Sequence, residues 1–256
     1  MITSVQNSKI QLVRSLLGRS KERRQNAALV VEGVRLLEEA LAAGWRYRFA
    51  LYSQALSERG WVLLQRLSEA GVETEEVTEQ LLTSTSDTKS PQGLLAVLEM
   101  QALPIPTLTD FALILDEIRD PGNVGNLLRS AAAAGTQAVF LTPGSADAFA
   151  PKVVRAGMGA HFRLPIHTMD WDEIREQLQE LKFVLTEMEA PLACWQADLR
   201  QGLAIIIGGE ADGASAAARQ MCDERIHIPM AAGTESLNAA AAGAIVLFEV
   251  KRQRDS

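Results

Sequence analysis

Residues 203–215, LAIIIGGEADGAS, decide the fold of this chain, because an unbroken apolar run ends there in two glycines and a polar loop. A run without polar alternation predicts a strand that is buried on both faces, as parallel strands covered by helices are. Comparable runs stand at 111–118 (FALILDEI) and 137–143 (QAVFLTP), and a helical pattern follows the first of them. Alternating strands and helices predict an α/β domain with a mostly parallel sheet.

The same alternation extends along the chain in both directions from this stretch. Further strands are predicted at 162–168, 183–189 and 225–230, and a last helix over 236–254, so the larger domain spans 111–256. A smaller α/β domain is predicted over 1–102, with strands at 28–33, 48–53, 72–78 and 93–100, of which the polar 72–78 suits a sheet edge. LPIPTLTD (103–110) carries two prolines and little periodicity, so we interpret it as a linker.

The composition is that of a globular protein with a sizeable core: 256 residues, 47% of them hydrophobic and 22% charged. No stretch approaches the roughly 18 apolar residues that a membrane span needs. The N-terminus lacks the apolar region of a secretory signal, so we expect a cytoplasmic protein. Cys194 and Cys222 follow neither a metal-binding nor a disulfide spacing, and we expect no metal.

The net charge of -7 argues at first against a nucleic-acid partner, but the charge is unevenly distributed. Residues 1–50 hold nine basic and four acidic side chains, whereas the remainder holds 16 basic and 28 acidic ones. A local basic surface can neutralise phosphates whatever the overall sign of the charge. The densest basic stretch is therefore a candidate RNA-binding surface, with a solvated helix face or loop as the alternative: Arg14, Arg19, Lys21, Arg23 and Arg24.

Three loops that follow predicted strands have unusual compositions, and ligands of open α/β sheets bind outside the carboxyl ends of strands. In DEIRDPGNVGNLLRSAAAAG (116–135), Asn123 is placed to cap a helix, and Arg129 alone would be a surface charge. In IIIGGEADGAS (205–215), the glycines permit close backbone approach, but the pattern is neither G-x-G-x-x-G nor a P-loop. It therefore indicates neither a dinucleotide site nor an ATP site.

The third loop lies in HIPMAAGTESLNAAAAGAIVLFE (227–249), between a predicted strand and the last helix. Ser236 or Glu235 can cap that helix, and Asn238 is unusual for a helix interior, so its plain interpretation is support for the cap. Each of the three loops is ambiguous by itself.

Their order and spacing resemble the three sequence motifs of the SpoU/TrmH family of S-adenosylmethionine-dependent RNA 2'-O-ribose methyltransferases, within the SPOUT superfamily. The segment TPGSADAFAPKVVRAGMGAHFRLPI (142–166) is similar to the stretch that separates the first two motifs. The N-terminal SKIQLVRSLLGRSKERRQNAALVVEGVRLLEEAL and TKSPQGLLAVLEM (88–100) resemble the substrate-binding domain of the family, which has an L30e-like fold.

The resemblance implies a C-terminal SPOUT α/β domain with a deep trefoil knot, a homodimer formed through that domain, and S-adenosylmethionine as cofactor. It assigns five polar residues to the catalytic centre: Asn123, Arg129, Glu210, Ser236 and Asn238. It assigns the cofactor contacts to Thr142, Pro143, Gly144, Gly208, Gly209, Glu210, Ile228, Pro229, Met230 and Leu237.

The expected reaction is methyl transfer to a ribose 2'-hydroxyl of RNA, with ribosomal RNA favoured over tRNA because the N-terminal domain resembles the ribosomal branch of the family. Two other functions compete with it. One is an RNA-binding protein that has the fold without the activity, although Asn123, Arg129, Ser236 and Asn238 are all present. The other is a different α/β nucleotide enzyme such as an oxidoreductase, for which the glycine fingerprint is missing.

Overall fold

The computed structural model describes residues 1–88, 90–209, 213–231 and 236–256. The chain divides into two compact units. The first consists of Met1–Gln101 with Phe149–Phe162, and the second of Ala102–Ala148 with Arg163–Ser256. Among the described residues, no helix is both long and apolar enough to cross a membrane.

The first hundred residues form the predicted alternation of helices and strands. In chain order these are α1 (Ser8–Gly18), α2 (Ser20–Asn26), β1 (Ala28–Glu32), α3 (Val34–Ala42), β2 (Tyr47–Tyr52), α4 (Glu58–Glu69), β3 (Thr74–Glu76), α5 (Glu79–Thr85) and β4 (Leu94–Glu99). The strands form one sheet in the order β1-β4-β2-β3. The short polar β3 lies at its edge, as its composition predicts. Helix α2 was not predicted as an element of its own.

Helix α1 shows how the sequence produces this local structure. Asn7 caps it by accepting a hydrogen bond from the backbone N–H of Lys9. Its buried residues, Ile10, Val13 and Leu16, recur every third position and therefore lie on one face of the helix. That face packs into a core shared with the strand residues Val30 and Leu51.

The described residues after β4 form further helices and strands. They are β5 (Phe111–Asp116), α6 (Pro121–Ala134), β6 (Ala138–Leu141), α7 (Pro151–Gly157), β7 (Ile166–Thr168), α8 (Trp171–Gln177), β8 (Lys182–Thr186), β9 (Leu192–Ala193), β10 (Leu203–Gly208), α9 (Ala216–Met221), β11 (Glu224–His227) and α10 (Ala239–Arg254). The strand predicted at 162–168 is shorter than expected, because residues 160–162 form a 3-10 turn. The short β9 and α9 were not predicted.

The strands of the second unit form a seven-stranded sheet in the order β7-β6-β5-β10-β8-β11-β9. Every strand pair in it is parallel, which confirms the predicted α/β class with a mostly parallel sheet. The chain leaves β5 towards β6, but it leaves β10 in the opposite direction, towards β11. Such a reversal opens a crevice at the carboxyl edge of the sheet, where ligands of this fold class bind. The knot implied by the family stays a prediction.

Helices α6 and α10 pack against each other on one face of this sheet. Gly243 of α10 permits the close approach, because a Cβ at this position would collide with Leu127 of α6 and would also contact Ile207 of β10. The small residues of these helices therefore serve packing, as their composition indicates.

The segment Phe149–Phe162 belongs to the first unit, although the sequence placed it within the second domain. Val154 and Phe162 share a core with Leu37 and Trp45. The indole Nε1–H of Trp45 donates a 3.1 Å hydrogen bond to the carbonyl of Phe162, and the two rings meet edge to face with centroids 5.1 Å apart. The core of the first unit thus depends on residues that follow β6 in the chain.

Phe162→Ala is expected to lower the free energy of unfolding by about 3–5 kcal/mol, because it removes a buried ring and leaves a cavity beside Trp45. Urea denaturation followed by circular dichroism measures the change. Leu108→Ala is the matched control: Leu108 is 88% exposed, against 2% for Phe162, so its loss should alter the free energy by about 0.5 kcal/mol or less. Equal midpoints for the two variants would contradict the assignment of Phe162 to this core.

Candidate active site

The polar residues of the first and third loops meet at the carboxyl edge of the large sheet. Asn238 donates a 2.9 Å hydrogen bond from its Nδ2 to the Oδ1 of Asn123. Asn123 lies in the first turn of α6 and is buried, with 8% of its surface exposed. Two segments that are far apart in sequence are therefore joined by one side-chain contact.

The structure corrects two of the predicted helix caps. Asp120, not Asn123, caps α6: its side chain accepts from the backbone N–H of Asn123, and Pro121 takes the first helical position. This arrangement frees the side chain of Asn123 from the cap. Asn238 is itself the cap of α10, a role that the sequence analysis gave to Ser236 or Glu235.

The cap limits what Asn238 can do in the site. Its Oδ1 accepts hydrogen bonds from the backbone N–H groups of Ala240 and Ala241, at 2.9 and 3.2 Å. One of its two amide hydrogens goes to Asn123, and the second has no acceptor among the described residues. Asn238 thus fixes Asn123 and the start of α10 at the same time.

The segments predicted to hold the cofactor all follow strands of this sheet. Thr142–Gly144 follows β6, Gly208–Gly209 ends β10, and Ile228–Met230 follows β11. Pro143 and Gly144 are exposed. Leu237 stands just before α10 and is 36% exposed. Backbone groups and apolar side chains at one edge of a sheet fit the binding of an adenosine and a methionine moiety.

Three predicted catalytic residues are not joined to the asparagine pair in the described part of the chain. Arg129 lies further along α6, is exposed, and makes no hydrogen bond or ion pair with another described residue. Ser236 is exposed just before the cap of α10. Glu210 lies outside the described residues. The catalytic roles of all five polar residues stay predictions.

The buried acid of the site, Asp116, and its partner Ser215 were not predicted from the sequence. Asp116 ends β5 and accepts hydrogen bonds from the backbone N–H and the hydroxyl of Ser215, at 2.7 and 3.1 Å. An acidic residue at the end of an apolar strand was a signal that could have been used. Elsewhere in the described chain, no cluster of three or more His, Cys, Asp or Glu side chains could hold a metal ion.

Four of the five basic residues predicted to bind RNA are exposed on and between α1 and α2 of the first unit. These are Arg14, Arg19, Lys21 and Arg24. Arg23 differs, because it is 5% exposed and its guanidinium donates a 2.5 Å hydrogen bond to the carbonyl of Leu16. Arg23 therefore joins α1 to α2 and is not an exposed phosphate ligand.

Comparison with known proteins agrees with this arrangement. Residues 110–248 match the SpoU rRNA Methylase family, and residues 7–96 match the MRM3-like substrate binding domain. The chain belongs to the SpoU rRNA methylase family. This confirms the family that the three motifs indicated, and the substrate-binding match covers most of the predicted N-terminal domain.

The relatives of this SpoU chain match it over nearly its whole length. It is 34% identical to the 23S rRNA (uridine(2479)-2'-O)-methyltransferase of Streptomyces viridochromogenes, over 100% of this chain and 93% of that protein. It is 29% identical to the 23S rRNA (guanosine(2553)-2'-O)-methyltransferase RlmP of Bacillus subtilis, over 98% of both. The crystal structure of the SpoU methyltransferase AviRb from S. viridochromogenes in complex with AdoMet superimposes with a TM-score of 0.88 and 31% identity, covering 97% of this chain and 99% of that one.

A double-mutant cycle tests the contact between the first and third motifs of this SpoU protein. Asn123→Ala and Asn238→Ala should show a coupling of about 0.5–1.5 kcal/mol in the free energy of unfolding, because they remove the two ends of one partly buried hydrogen bond. Chemical denaturation of the four proteins gives the value. Asn126→Ala is the control for position 123, since Asn126 is exposed on the same helix. The contact would be contradicted if the coupling energy of Asn126 with Asn238 were as large as that of Asn123 with Asn238.

Proposed function

We propose that this protein transfers the methyl group of S-adenosylmethionine to a ribose 2'-hydroxyl of ribosomal RNA. The observation that carries the proposal is the meeting of Asn123 and Asn238 at the carboxyl edge, in a chain matched from end to end by 23S rRNA 2'-O-methyltransferases. An enzyme that modifies ribosomal RNA must share a compartment with ribosomes, so we propose a cytoplasmic location.

The chemistry is an in-line displacement. The ribose 2'-oxygen attacks the methyl carbon, a C–O bond forms while the S–C bond breaks, and the hydroxyl proton is released. The protein must align the nucleophile and assist removal of its proton. When bound, S-adenosylmethionine supplies the electrophilic methyl group, and Thr142–Gly144, Gly208–Gly209 and Ile228–Met230, with Leu237, would hold it.

The side chain of Asn123 is buried and held in place in this site. Its Oδ1 is occupied by Asn238, which sets the direction of the amide plane. We assign Asn123 to the orientation of the ribose or of the cofactor carboxylate. Ser236 and Glu210 stay candidates for the same polar environment.

Arg129 is assigned to the negative charge of the reaction. A guanidinium stays protonated in proteins, so it has no lone pair with which to accept the proton of the hydroxyl. We therefore propose that cationic Arg129 binds the phosphate of the target nucleotide or stabilises the developing alkoxide, while the proton leaves by another route. Its exposed position and lack of an ion-pair partner among the described residues support this assignment.

The first unit is proposed to recognise the RNA. Four exposed positive charges lie on and between the consecutive helices α1 and α2: Arg14, Arg19, Lys21 and Arg24. Phosphate contacts of this kind give affinity that falls with rising salt concentration. The match to a substrate-binding domain over 7–96 supports the same role.

The purified protein is expected to methylate unmodified ribosomal RNA, and Arg129→Lys should lower the rate of transfer about 100-fold. The lysine keeps the charge but cannot reproduce the planar two-pronged contact of arginine. Radiolabelled methyl transfer measures the rates, and mapping of 2'-O-methyl positions identifies the nucleotide. Arg175→Lys, on the surface helix α8, is the control and should keep the wild-type rate.

The outcomes of this assay separate the competing functions. Transfer to tRNA but not to ribosomal RNA would replace the proposed substrate. Cofactor binding without transfer to any RNA would indicate a binding protein with the same fold. A near wild-type rate for Arg129→Lys would exclude only the proposed role of Arg129, and it would not contradict the proposed methyl transfer.

The protein is also proposed to act as a homodimer formed through α10. This helix is apolar on two faces: Val246, Leu247 and Val250 are buried, while Ile245 and Phe248 are 39% and 48% exposed. Residues 239–248, the first ten of α10, are all apolar, and a helical stretch that is apolar all round is usually buried in the working assembly. A second copy of the chain is the occupant implied by the family.

Phe248→Glu is expected to convert the dimer into a monomer, because it places a charge in an apolar contact that must exclude water. Light scattering after size-exclusion chromatography gives the molar mass of each form. Leu108→Glu, which changes another exposed apolar residue, should leave the dimer intact. A wild-type protein that is monomeric at micromolar concentration would refute the proposed dimer.

A further inference from the structure

The carboxylate of Asp116 is enclosed at the centre of the carboxyl edge. Asp116 is the last residue of β5, it is 0% exposed, and it stands opposite Gly208, the last residue of β10, in the strand register. A carboxylate is costly to bury unless hydrogen bonds replace its contacts with water. Its hydrogen-bond donors therefore show what the residue is built to hold.

Those donors come from two loops that follow other strands. The backbone N–H of Ser215 donates to Oδ2 at 2.7 Å, and the Ser215 hydroxyl donates to Oδ1 at 3.1 Å. The Thr142 hydroxyl lies 3.4 Å from the same Oδ1 and accepts a 3.0 Å hydrogen bond from the backbone N–H of Glu117. One side chain thus joins the ends of β5 and β6 and the segment that follows β10.

The two ends of the segment that follows β10 lie close together, at Gly208–Gly209 and at Gly213–Ala214. Gly209 and Gly213 form an antiparallel bridge, and a Cβ added to Gly208 would lie 2.5 Å from the backbone nitrogen of Ala214. A Cβ on Gly209 would lie 3.0 Å from the carbonyl oxygen of Glu117. Ser215 follows these residues as the cap of α9, and Asp116 holds it there.

The turn after Asp116 is held in an unfavourable conformation by the same contacts. Glu117 has a φ of +53°, which is uncommon for a residue other than glycine. The Thr142 hydroxyl accepts from its backbone N–H, and a Cβ on Gly144 would contact its side chain at 3.4 Å. Side-chain contacts around Asp116 therefore determine the path of both loops.

We propose that Asp116 is a positioning residue for the cofactor: it holds Thr142–Gly144 and Gly208–Gly209 in the arrangement that binds S-adenosylmethionine. This proposal rests on the proposed function, because it takes these segments as the cofactor site. Asp116 has no exposed surface, so it acts through Thr142 and Ser215 and not by touching the cofactor.

The test measures cofactor affinity in Asp116→Asn and Ser215→Ala by titration calorimetry of the full-length protein. Asparagine keeps the size of the side chain but replaces one acceptor oxygen with a donor, so the hydrogen bonds that this oxygen accepted are lost. We expect the Kd for S-adenosylmethionine to rise about tenfold in Asp116→Asn, the factor that follows from losing about one hydrogen bond to a charged group. Ser215→Ala should show a smaller rise, because the backbone N–H of residue 215 still donates.

Ser57→Ala is the matched control for Ser215→Ala. Both serines cap a helix by accepting a backbone N–H: Ser215 from Ala218 at 3.0 Å and Ser57 from Gly60 at 3.2 Å. Loss of either capping hydroxyl should lower the denaturant concentration at the midpoint of unfolding by a similar amount. Only Ser215 also donates to Asp116. A purely structural role predicts unchanged cofactor affinity in both folded variants.

Two readouts distinguish positioning from other roles. The KM for S-adenosylmethionine should rise in Asp116→Asn while kcat at saturating cofactor and the KM for RNA stay near wild type. The Kd for the thioether product should rise by the same factor as that for S-adenosylmethionine, because loop geometry and not the sulfonium charge is affected. The double variant should bind S-adenosylmethionine more weakly than Asp116→Asn does. This additional rise in Kd should be smaller than the rise caused by Ser215→Ala alone, because both substitutions act on one contact.

Wild-type affinity in folded Asp116→Asn and Ser215→Ala would overturn the proposal, and so would a loss confined to the charged cofactor, which would indicate direct contact. Should Asp116→Asn fail to fold, the comparison of Ser215→Ala with Ser57→Ala decides the question alone. A wild-type protein that does not bind S-adenosylmethionine would instead refute the proposed function, which separates that failure from the failure of this inference.

Discussion

Parallel pairing of β5 with β10 is the interaction on which the second unit depends. The register runs from Phe111 and Leu203 to Asp116 and Gly208, so both strands end at the same level. The loops that follow them, which carry the first two motifs, must therefore leave the sheet side by side. A slip of one residue would turn the apolar side chains of β10 to the opposite face and separate the loops.

Backbone hydrogen bonding then explains why so few side chains suffice to build the site. Asn238 uses its oxygen to cap α10 and one amide hydrogen to fix Asn123. Asp120 caps α6, so the side chain of Asn123 is not used for that cap. Residues needed to begin two helices thus place the polar groups of two motifs at one point, and the site gains its rigidity from the secondary structure.

The sequence predicted the parts of the fold that depend on long, regular patterns. The apolar run that became β10 could be recognised because both of its faces are buried, and the same holds for β5. The short β9 and α9 carry too few residues to show a period, and their existence depends on tertiary contacts. Residues 149–162 could not be assigned correctly from chain order, since their place in the first unit depends on packing against Trp45.

For the candidate site, the sequence predicted which loops take part but not how their side chains are bonded. Motif order identified the loops, but a cap cannot be distinguished from a free amide without knowing where the helix begins, although Pro121 after Asp120 was a usable signal. Charge density likewise identified the basic stretch but not its exposed members, because Arg23 and its neighbour Arg24 point in different directions from one helix.

The difference between a buried and an exposed side chain also separates the two kinds of polar group that the proposed reaction uses. Asn123 is buried and bonded, so its orientation exists before any substrate binds. Arg129 is exposed, and ordering its long side chain costs up to about 2 kcal/mol of conformational entropy. If Arg129 binds the phosphate of the target nucleotide, that cost is met only when RNA is present. The fixed amide would then define where the ribose lies, and the arginine would make charge stabilisation conditional on the correct substrate.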